Sequence, residues 1–327
     1  MMSIFIYEHI TSGALSAEQL SDSLMHEGNM MINALCQDLL ALGHSLTIIR
    51  EASLPHLFDD DKRLTTIYVS DLAEFTKSWQ QCQQTFNQFI IIAPETANTL
   101  ANIVANLRQN GKHVFGCSPE AISLFTDKYQ TFKHLKSHQI ATPQTFTVEQ
   151  WLNEINSDEQ QRWISKYRDG AGCEQTFIQT STQLRHFLSN LSSSILSNTI
   201  IQPYIDSQSL SLSLFITAED IHLLSVNIQH MQQQQNQLHL KYCEVKRNDL
   251  IDTDVAIDLA KKLHQSTAGL YGFVGVDLLK TENQLYIVDI NPRLTSSYAE
   301  AGMRHYGNPA LLLHQEILKT FADNDRF

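Results

Sequence analysis

Positive charge is scarce in this chain. Its 327 residues carry 23 Lys and Arg against 35 Asp and Glu, a formal net charge of −12. A nucleic-acid surface needs clustered cations to displace counterions, so that class of partner is excluded. Charged residues make up only 18% of the chain, so an anionic ligand would depend on a few well-placed cations. The five cysteines (Cys36, Cys82, Cys117, Cys173, Cys243) are odd in number and widely spaced, with no C-x-x-C pair. A disulfide scaffold and a cysteine zinc site are thereby excluded. No stretch approaches the roughly 18 apolar residues of a membrane span. The opening MMSIFIYEHITSG lacks a basic segment, and Glu8 and His9 interrupt its short apolar run, so it does not read as a signal peptide. The chain is expected to be cytoplasmic, with no membrane partner. His134 and His138 share a helix face without a third ligand nearby and read as ordinary helix surface.

What the chain does contain is an ordered alternation. Strand-like 3-SIFIY, a helical pattern over 23–42 closed by Gly43, strand-like 45-SLTIIR and 64-LTTIYV, a polar helix near 72–86, strand-like 88-QFIIIA, a helix from 96 to Gly111 and a short strand at 112-KHVFG follow one another. Such alternation predicts a parallel sheet covered by helices, placed at residues 1–117. Beyond the Ser118-Pro119 step the pattern changes. One helical stretch, 119–139, precedes strands at 144-QTFTV, 162-RWISKY, 199-TIIQPYI, 209-SLSLSLFIT and 223-LLSVNIQHMQQ. The glutamine run 232–235 reads as a hairpin tip or loop. A helix at 253–267, the strands 271-YGFVGVDLLK and 284-QLYIVDINPR around the turn 281-TEN, and a closing helix from 309 complete the chain. The expectation is an α/β protein: a parallel α/β domain at 1–117, then an α+β unit with antiparallel sheets at 118–327.

The segment 275-GVDLLKTENQLYIVDINPR is the most informative. Asp277 lies inside an apolar strand, and Asp289 and Asn291, two apart, share one face of the next. A short hairpin can bring Asp277 beside them. Two carboxylates and an amide oxygen suit a hard cation such as Mg2+. A general acid/base pair, or a carboxylate that merely caps the turn before Pro292, remains open from these residues alone. Arg293 adds a guanidinium suited to charge on a transferring phosphoryl group, or an ordinary salt bridge with one of these acids. The loop 169-DGAG follows a strand, and its small residues would let backbone N–H groups approach an anion. It fits neither the dinucleotide nor the P-loop fingerprint. Lys166 lies three residues before Asp169 and could reach a phosphate, and Lys128 sits in a helix where exposure is the default.

The order of these motifs resembles that of the ATP-grasp superfamily of carboxylate–amine ligases. Lys128 in 126-TDKYQTF, Lys166 in 165-SKYRDGAG, the hinge 201-IQPYID, 275-GVDLL and 288-VDINPRLTSSY carry the likeness over nearly the whole chain. The opening 7-YEHITSGAL, 26-HEGNMM and 290-INPRLTSSYAEAG resemble, more narrowly, the tyramine–glutamate ligase type that serves biosynthesis of methanofuran-like one-carbon cofactors.

The resemblance implies a pre-ATP-grasp domain followed by two ATP-grasp subdomains, about 118–202 and 203–327. Lys128 and Lys166 would contact ATP phosphates under a cover formed by Asp169, Gly170, Ala171 and Gly172. The hinge Gln202, Pro203, Tyr204 and Ile205 would bond the adenine, and Asp206 the ribose. Asp277, Asp289 and Asn291 would hold Mg2+, with Mn2+ a substitute. Arg293 and Lys166 would stabilise the transferring phosphoryl group. The substrates would be a small carboxylate donor, glutamate, and an amine acceptor such as tyramine, with Glu8, Glu27 and 295-TSSY as pocket candidates; a homodimer is left open. Three positions depart from the family pattern: Asp289 stands where Glu is usual, Asp206-Ser207 where Glu-Gly is frequent, and Cys173 where glycine is common. Another amino-acid or dipeptide ligase of the same superfamily, and a non-catalytic nucleotide-binding protein, are the competing expectations.

Overall fold

The computed structural model describes residues 3–58, 61–155, 158–170, 175–246, 250–305 and 307–324. Its first sheet is built from β1 (Ser3–Glu8), β2 (Ser45–Glu51), β3 (Leu64–Val69), β4 (Gln88–Ile92) and β5 (His113–Val114), with α1 (Asp22–Ala41), α2 (Leu72–Thr85) and α3 (Thr99–Gln109) in the crossovers. The strand order is β3-β2-β1-β4-β5 and every pairing is parallel. β1 and β4 are buried almost throughout, as strands covered on both faces must be. Open α/β sheets of this kind bind ligands at the carboxyl ends of their strands.

The stretch expected as one helix over 119–139 is two, α4 (Pro119–Thr126) and α5 (Lys128–Ser137). Asp127 makes the break. Its backbone is extended, and its side chain accepts from the N–H groups of Tyr129 and Gln130, a cap that starts a new helix. The strand expected at 144–148 shrinks to β6 (Phe146–Thr147), because Thr147 and Gln150 form a reciprocal cap that opens α6 (Val148–Glu154).

The remaining elements are β7 (Arg162–Tyr167), β8 (Phe177–Thr180), α7 (Ser181–Ser189), α8 (Ser193–Ser197), β9 (Thr199–Pro203), β10 (Gln208–Ile216), β11 (Ile221–Gln234), β12 (Gln237–Lys246), α9 (Thr253–Ser266), β13 (Gly272–Lys280), β14 (Leu285–Asn291) and α10 (Leu311–Asn324). The strands form a nine-stranded sheet ordered β14-β13-β10-β11-β12-β8-β7-β9-β6. All its pairings are antiparallel, and its two halves join at a single pair, Gln237 opposite Phe177. The glutamine run forms the tip of the β11–β12 hairpin, as expected: Gln232–Gln234 end β11, and Gln235, with φ of 54°, turns the chain into β12. The sequence reading missed β12, whose alternation is obscured by polar and charged residues on both faces.

The apolar cores run across the two sheets. Phe5, Tyr7 and Phe89 belong to one cluster with Leu210, Leu212, Val274 and Val276. Ile4, Ile6, Ile32 and Leu35 share another with Phe215, Leu294, Leu313 and Ile317, so α10 packs beside α1 and β1. Polar contacts reinforce that seam. Asp38 of α1 accepts from Tyr298 Oη at 2.8 Å and from Arg304 Nη2 at 2.7 Å, and His44 Nε2 lies 2.8 Å from His314 Nδ1. Among the described residues no helix is long and apolar enough to cross a membrane.

Candidate functional site

The antiparallel register of β13 and β14 sets Asp277 opposite Asp289 and Gly275 opposite Asn291, with an irregularity just past Asp277. The hairpin thus brings the three expected oxygen donors to one place. Asn291 Nδ2 donates to Asp277 Oδ2 at 3.2 Å, and Gln229 Nε2 of β11 donates to Asp277 Oδ1 at 2.8 Å. Burial, and then the neighbouring Asp289, push the Asp277 carboxyl up to about 6. Gly275 keeps the floor of this hairpin close to the following loop: a Cβ there would lie 2.7 Å from Thr295 Cγ2.

Lys128 meets this pair from the far side. It is the first residue of α5, its N–H donates to Arg168 O at 2.9 Å, and its Nζ lies 2.7 Å from Asp289 Oδ2. The lysine side chain is 10% exposed, against the exposure its helical position suggested. Burial alone would lower its pKa; the carboxylates of Asp289, Glu95 and Asp277 together outweigh that, and the ammonium is held above its ordinary value. Arg293, two residues past Asn291, is held by Glu95, which follows β4. Arg293 Nε lies 2.8 Å from Glu95 Oε1, and Nη2 donates to Oε2 at 3.0 Å. Here too burial works against the charge and Glu95 overcomes it, so the guanidinium pKa is raised. Sequence reading left the arginine's salt-bridge partner among the hairpin acids; it comes instead from the first sheet.

The loop before the proposed phosphate cover is anchored at its start. Arg168 pairs with Asp127, and Asp169 accepts from Asn198 Nδ2 at 2.9 Å. Lys166 is buried on β7, opposite Ile200 of β9. Gly170 closes this described stretch; Ala171, Gly172 and Cys173 lie outside the described residues. In the hinge, Gln202 is buried and its Nε2 donates to Thr145 Oγ1 at 2.8 Å. Pro203 ends β9, and the Tyr204 N–H donates to Arg162 O at 3.0 Å while the Arg162 guanidinium covers its ring. Ile205 O accepts from Ser207 Oγ, and Asp206 is exposed. The hinge therefore stands on the edge of β9, at a distance in sequence from the acid pair.

Of the pocket candidates, Glu8 is almost fully buried, and its carboxylate accepts from the N–H groups of Ile10 and Thr11 and from Thr11 Oγ1. Its pKa is raised by burial in spite of these bonds. Glu27 is half-buried on α1 and contributes to the field at Arg293. In the 295–298 loop, Ser297 Oγ bonds Ser213 Oγ at 3.0 Å, so the loop is tied to β10.

Among the described residues no cluster of three or more His, Cys, Asp or Glu gathers. The donor set is two carboxylates and one amide, which leaves positions for phosphate and water oxygens. This is the pattern of a hard divalent ion shared with a nucleotide. The charges agree: the facing carboxylates of Asp277 and Asp289 have one lysine beside them, bonded to Asp289. The residues present fit a divalent ion.

Known proteins resemble this chain in sequence and fold. Residues 125–297 match the family model of the ATP-grasp domain, and residues 44–122 match that of the pre-ATP-grasp 3 domain. The chain is 25% identical over 317 residues to a tyramine–L-glutamate ligase of Methanocaldococcus jannaschii, covering 95% of this chain and 88% of that protein. A solved structure described as an ATP-grasp superfamily protein from Archaeoglobus fulgidus is 24% identical and aligns with a TM-score of 0.71 over 96% of this chain and 88% of that one. The D-alanine–D-alanine ligase of Bacillus anthracis, 13% identical, aligns with a TM-score of 0.63 over 99% of this chain and 100% of that one.

Proposed function

This chain belongs to the ATP-grasp family, and from that premise we propose that it is an ATP-dependent carboxylate–amine ligase that joins glutamate to tyramine or a similar aromatic amine. The observation that carries the reading is the meeting of Lys128, Arg293, Asp277 and Asp289, two cations and two carboxylates drawn from separate elements. An acidic protein with few cations has placed two of them, largely buried, beside one acidic hairpin. The two tyramine–L-glutamate ligases among its relatives, each 25% identical, support the choice of substrates. A product of that kind suits the assembly of a methanofuran-like one-carbon cofactor.

The reaction proposed has two steps. A carboxylate oxygen of the donor bonds to the γ-phosphorus of ATP as the bond to the bridging oxygen breaks, releasing ADP. The amine nitrogen then bonds to the acyl carbon, phosphate leaves, and the amine loses a proton to solvent. This chain's residues supply positioning and charge, which is most of what phosphoryl transfer requires. Lys128 and Arg293 neutralise phosphate oxygens, and Lys166 does so from β7 ahead of the 169–172 cover. The backbone of Gln202–Ile205 borders the adenine, and Asp206 takes the ribose hydroxyls. Asp277, Asp289 and Asn291 would hold Mg2+, which would draw charge off the phosphates. The cover must exclude water, since an activated carboxylate is readily hydrolysed.

The test is ADP release by the purified protein with ATP, Mg2+, glutamate and a panel of amines including tyramine and tyrosine. Turnover that rises with tyramine above the glutamate-only level is expected. A response to another amino acid in place of glutamate would keep the ligase chemistry and replace the substrates.

A further inference from the structure

Glu95 was not marked by any sequence motif, yet it holds the arginine on which the proposed phosphoryl transfer depends. It stands three residues past the end of β4, in the first sheet, and its side chain is 9% exposed. Both carboxylate oxygens face the guanidinium, at 2.8 Å from Nε and 3.0 Å from Nη2. Only the Nη2 contact is a hydrogen bond; Nε and Oε1 approach as opposite charges without hydrogen-bond geometry, so the pair holds the guanidinium in place through one bond and one close charge contact. The segment that carries Glu95 is itself constrained. Ala97 and Asn98 both adopt left-handed backbone, with φ of 55° and 58°, which non-glycine residues seldom do. The Ala97 N–H points at Asp169 Oδ2 at 3.5 Å, so the same turn reaches the segment that follows β7. Pro94 precedes it, and Pro94 O accepts the N–H of Leu100, closing the turn on itself.

We propose that Glu95 is a positioning residue: through its hydrogen bond and close charge contact it holds Arg293 toward the γ-phosphate of ATP. A solvent-exposed ion pair would carry little weight here. This one is largely buried and joins the first sheet to the acidic hairpin, so removing either side chain leaves the other charge without its partner. The inference rests on the ligase reading for the place of the γ-phosphate. It adds a residue from the first sheet to the machinery of the second.

The experiment measures binding of Mg2+-AMP-PNP and of Mg2+-ADP to the wild type, to Glu95→Ala, Glu95→Gln and Glu95→Asp, to Arg293→Ala, and to the double variant Glu95→Ala/Arg293→Ala. Melting curves confirm that each is folded; should Glu95→Ala fail to fold, the near-isosteric Glu95→Gln takes its place, alone and with Arg293→Ala. Only AMP-PNP offers a γ-phosphate. The expected result is a loss of AMP-PNP affinity of about tenfold in the Glu95 variants, with ADP affinity within about twofold of wild type. Glu95→Asp, too short for both contacts, is expected to behave like Glu95→Ala, and the double variant to be no worse than Arg293→Ala.

Equal losses for both nucleotides, or losses that add in the double variant, overturn the proposal and leave the ligase reading standing. Unchanged AMP-PNP binding overturns it too. So does tighter AMP-PNP binding, the outcome if Glu95 only masked the charge of Arg293. A wild type that binds neither nucleotide sinks the ligase reading and this inference with it.

Discussion

Lys128 Nζ and Asp289 Oδ2 stand 2.7 Å apart, so the cation suited to phosphate and the carboxylate suited to metal hold each other. Each therefore sits in the other's field where its proposed ligand would bind. A metal on Asp289 would compete with the ammonium for the carboxylate's charge, so the two proposed ligands would be coupled. Lys128→Met removes the competing cation. Mn2+ affinity without nucleotide, followed by electron paramagnetic resonance, is expected to rise by about tenfold, while ATP affinity falls by a similar factor. A fall in both would contradict the competition.

Asp289→Ala tests the hairpin itself. It faces Asp277 and, with Asn291, completes the donor set. The variant is expected to lose Mg2+-dependent ADP release while keeping a cooperative melting transition. Retained turnover would show that the oxygen donors lie elsewhere.

Gly275 tests the packing behind the site. In Gly275→Ala the new methyl group meets Thr295 Cγ2 at 2.7 Å, and Thr295 Oγ1 bonds Ser297 Oγ at 2.9 Å. The 295–298 loop must move, at a cost of about 1–3 kcal/mol in urea unfolding. Turnover is expected to fall with it. An unchanged denaturation midpoint would mean that the loop yields freely.

The seam between His44 and His314 gives the stability a pH dependence. Burial, aided by the second histidine, lowers the pKa of His44 from its ordinary 6.5 to about 4. As pH falls below 6.5, the unfolded chain takes up this proton first, so stability is complete above that value and is lost on the way down to 4. At pH 5 the loss from His44 amounts to about 2 kcal/mol. Chemical denaturation at pH 7.5 and pH 5 should show a smaller difference for His44→Gln than for the wild type. Identical differences would remove His44 from the account.

The sequence made much of this legible because much of it is local. The period-two spacing of Asp289 and Asn291 placed both on one strand face, and the short turn at 281–283 dictated a hairpin that delivers Asp277. The parallel sheet was likewise readable from apolar strands alternating with helices. Contacts between distant segments were not. Lys128 was read as a helix-surface residue, because only the cap at Asp127 and the approach of β14 bury it. Glu95 left one faint trace: a carboxylate just past the end of a fully apolar strand, 89-FIIIAPE, where parallel sheets receive ligands. β12 escaped notice because its polar residues hide the alternation that its neighbours display.

The packing of α10 against α1 and β1 bears on how the chain is made. Leu313 and Ile317 share a cluster with Ile4, Ile6 and Ile32, and Asn308 Nδ2 donates to Asp38 O at 2.8 Å. The first sheet's core is thus shared with a helix that follows the whole second sheet in the chain. Until α10 arrives, part of that sheet's apolar cover is missing, and a nascent chain halted near residue 300 would present a greasy face to chaperones. The sheet's core and the helix that covers part of it are separated by most of the chain, so that cover is a long-range contact.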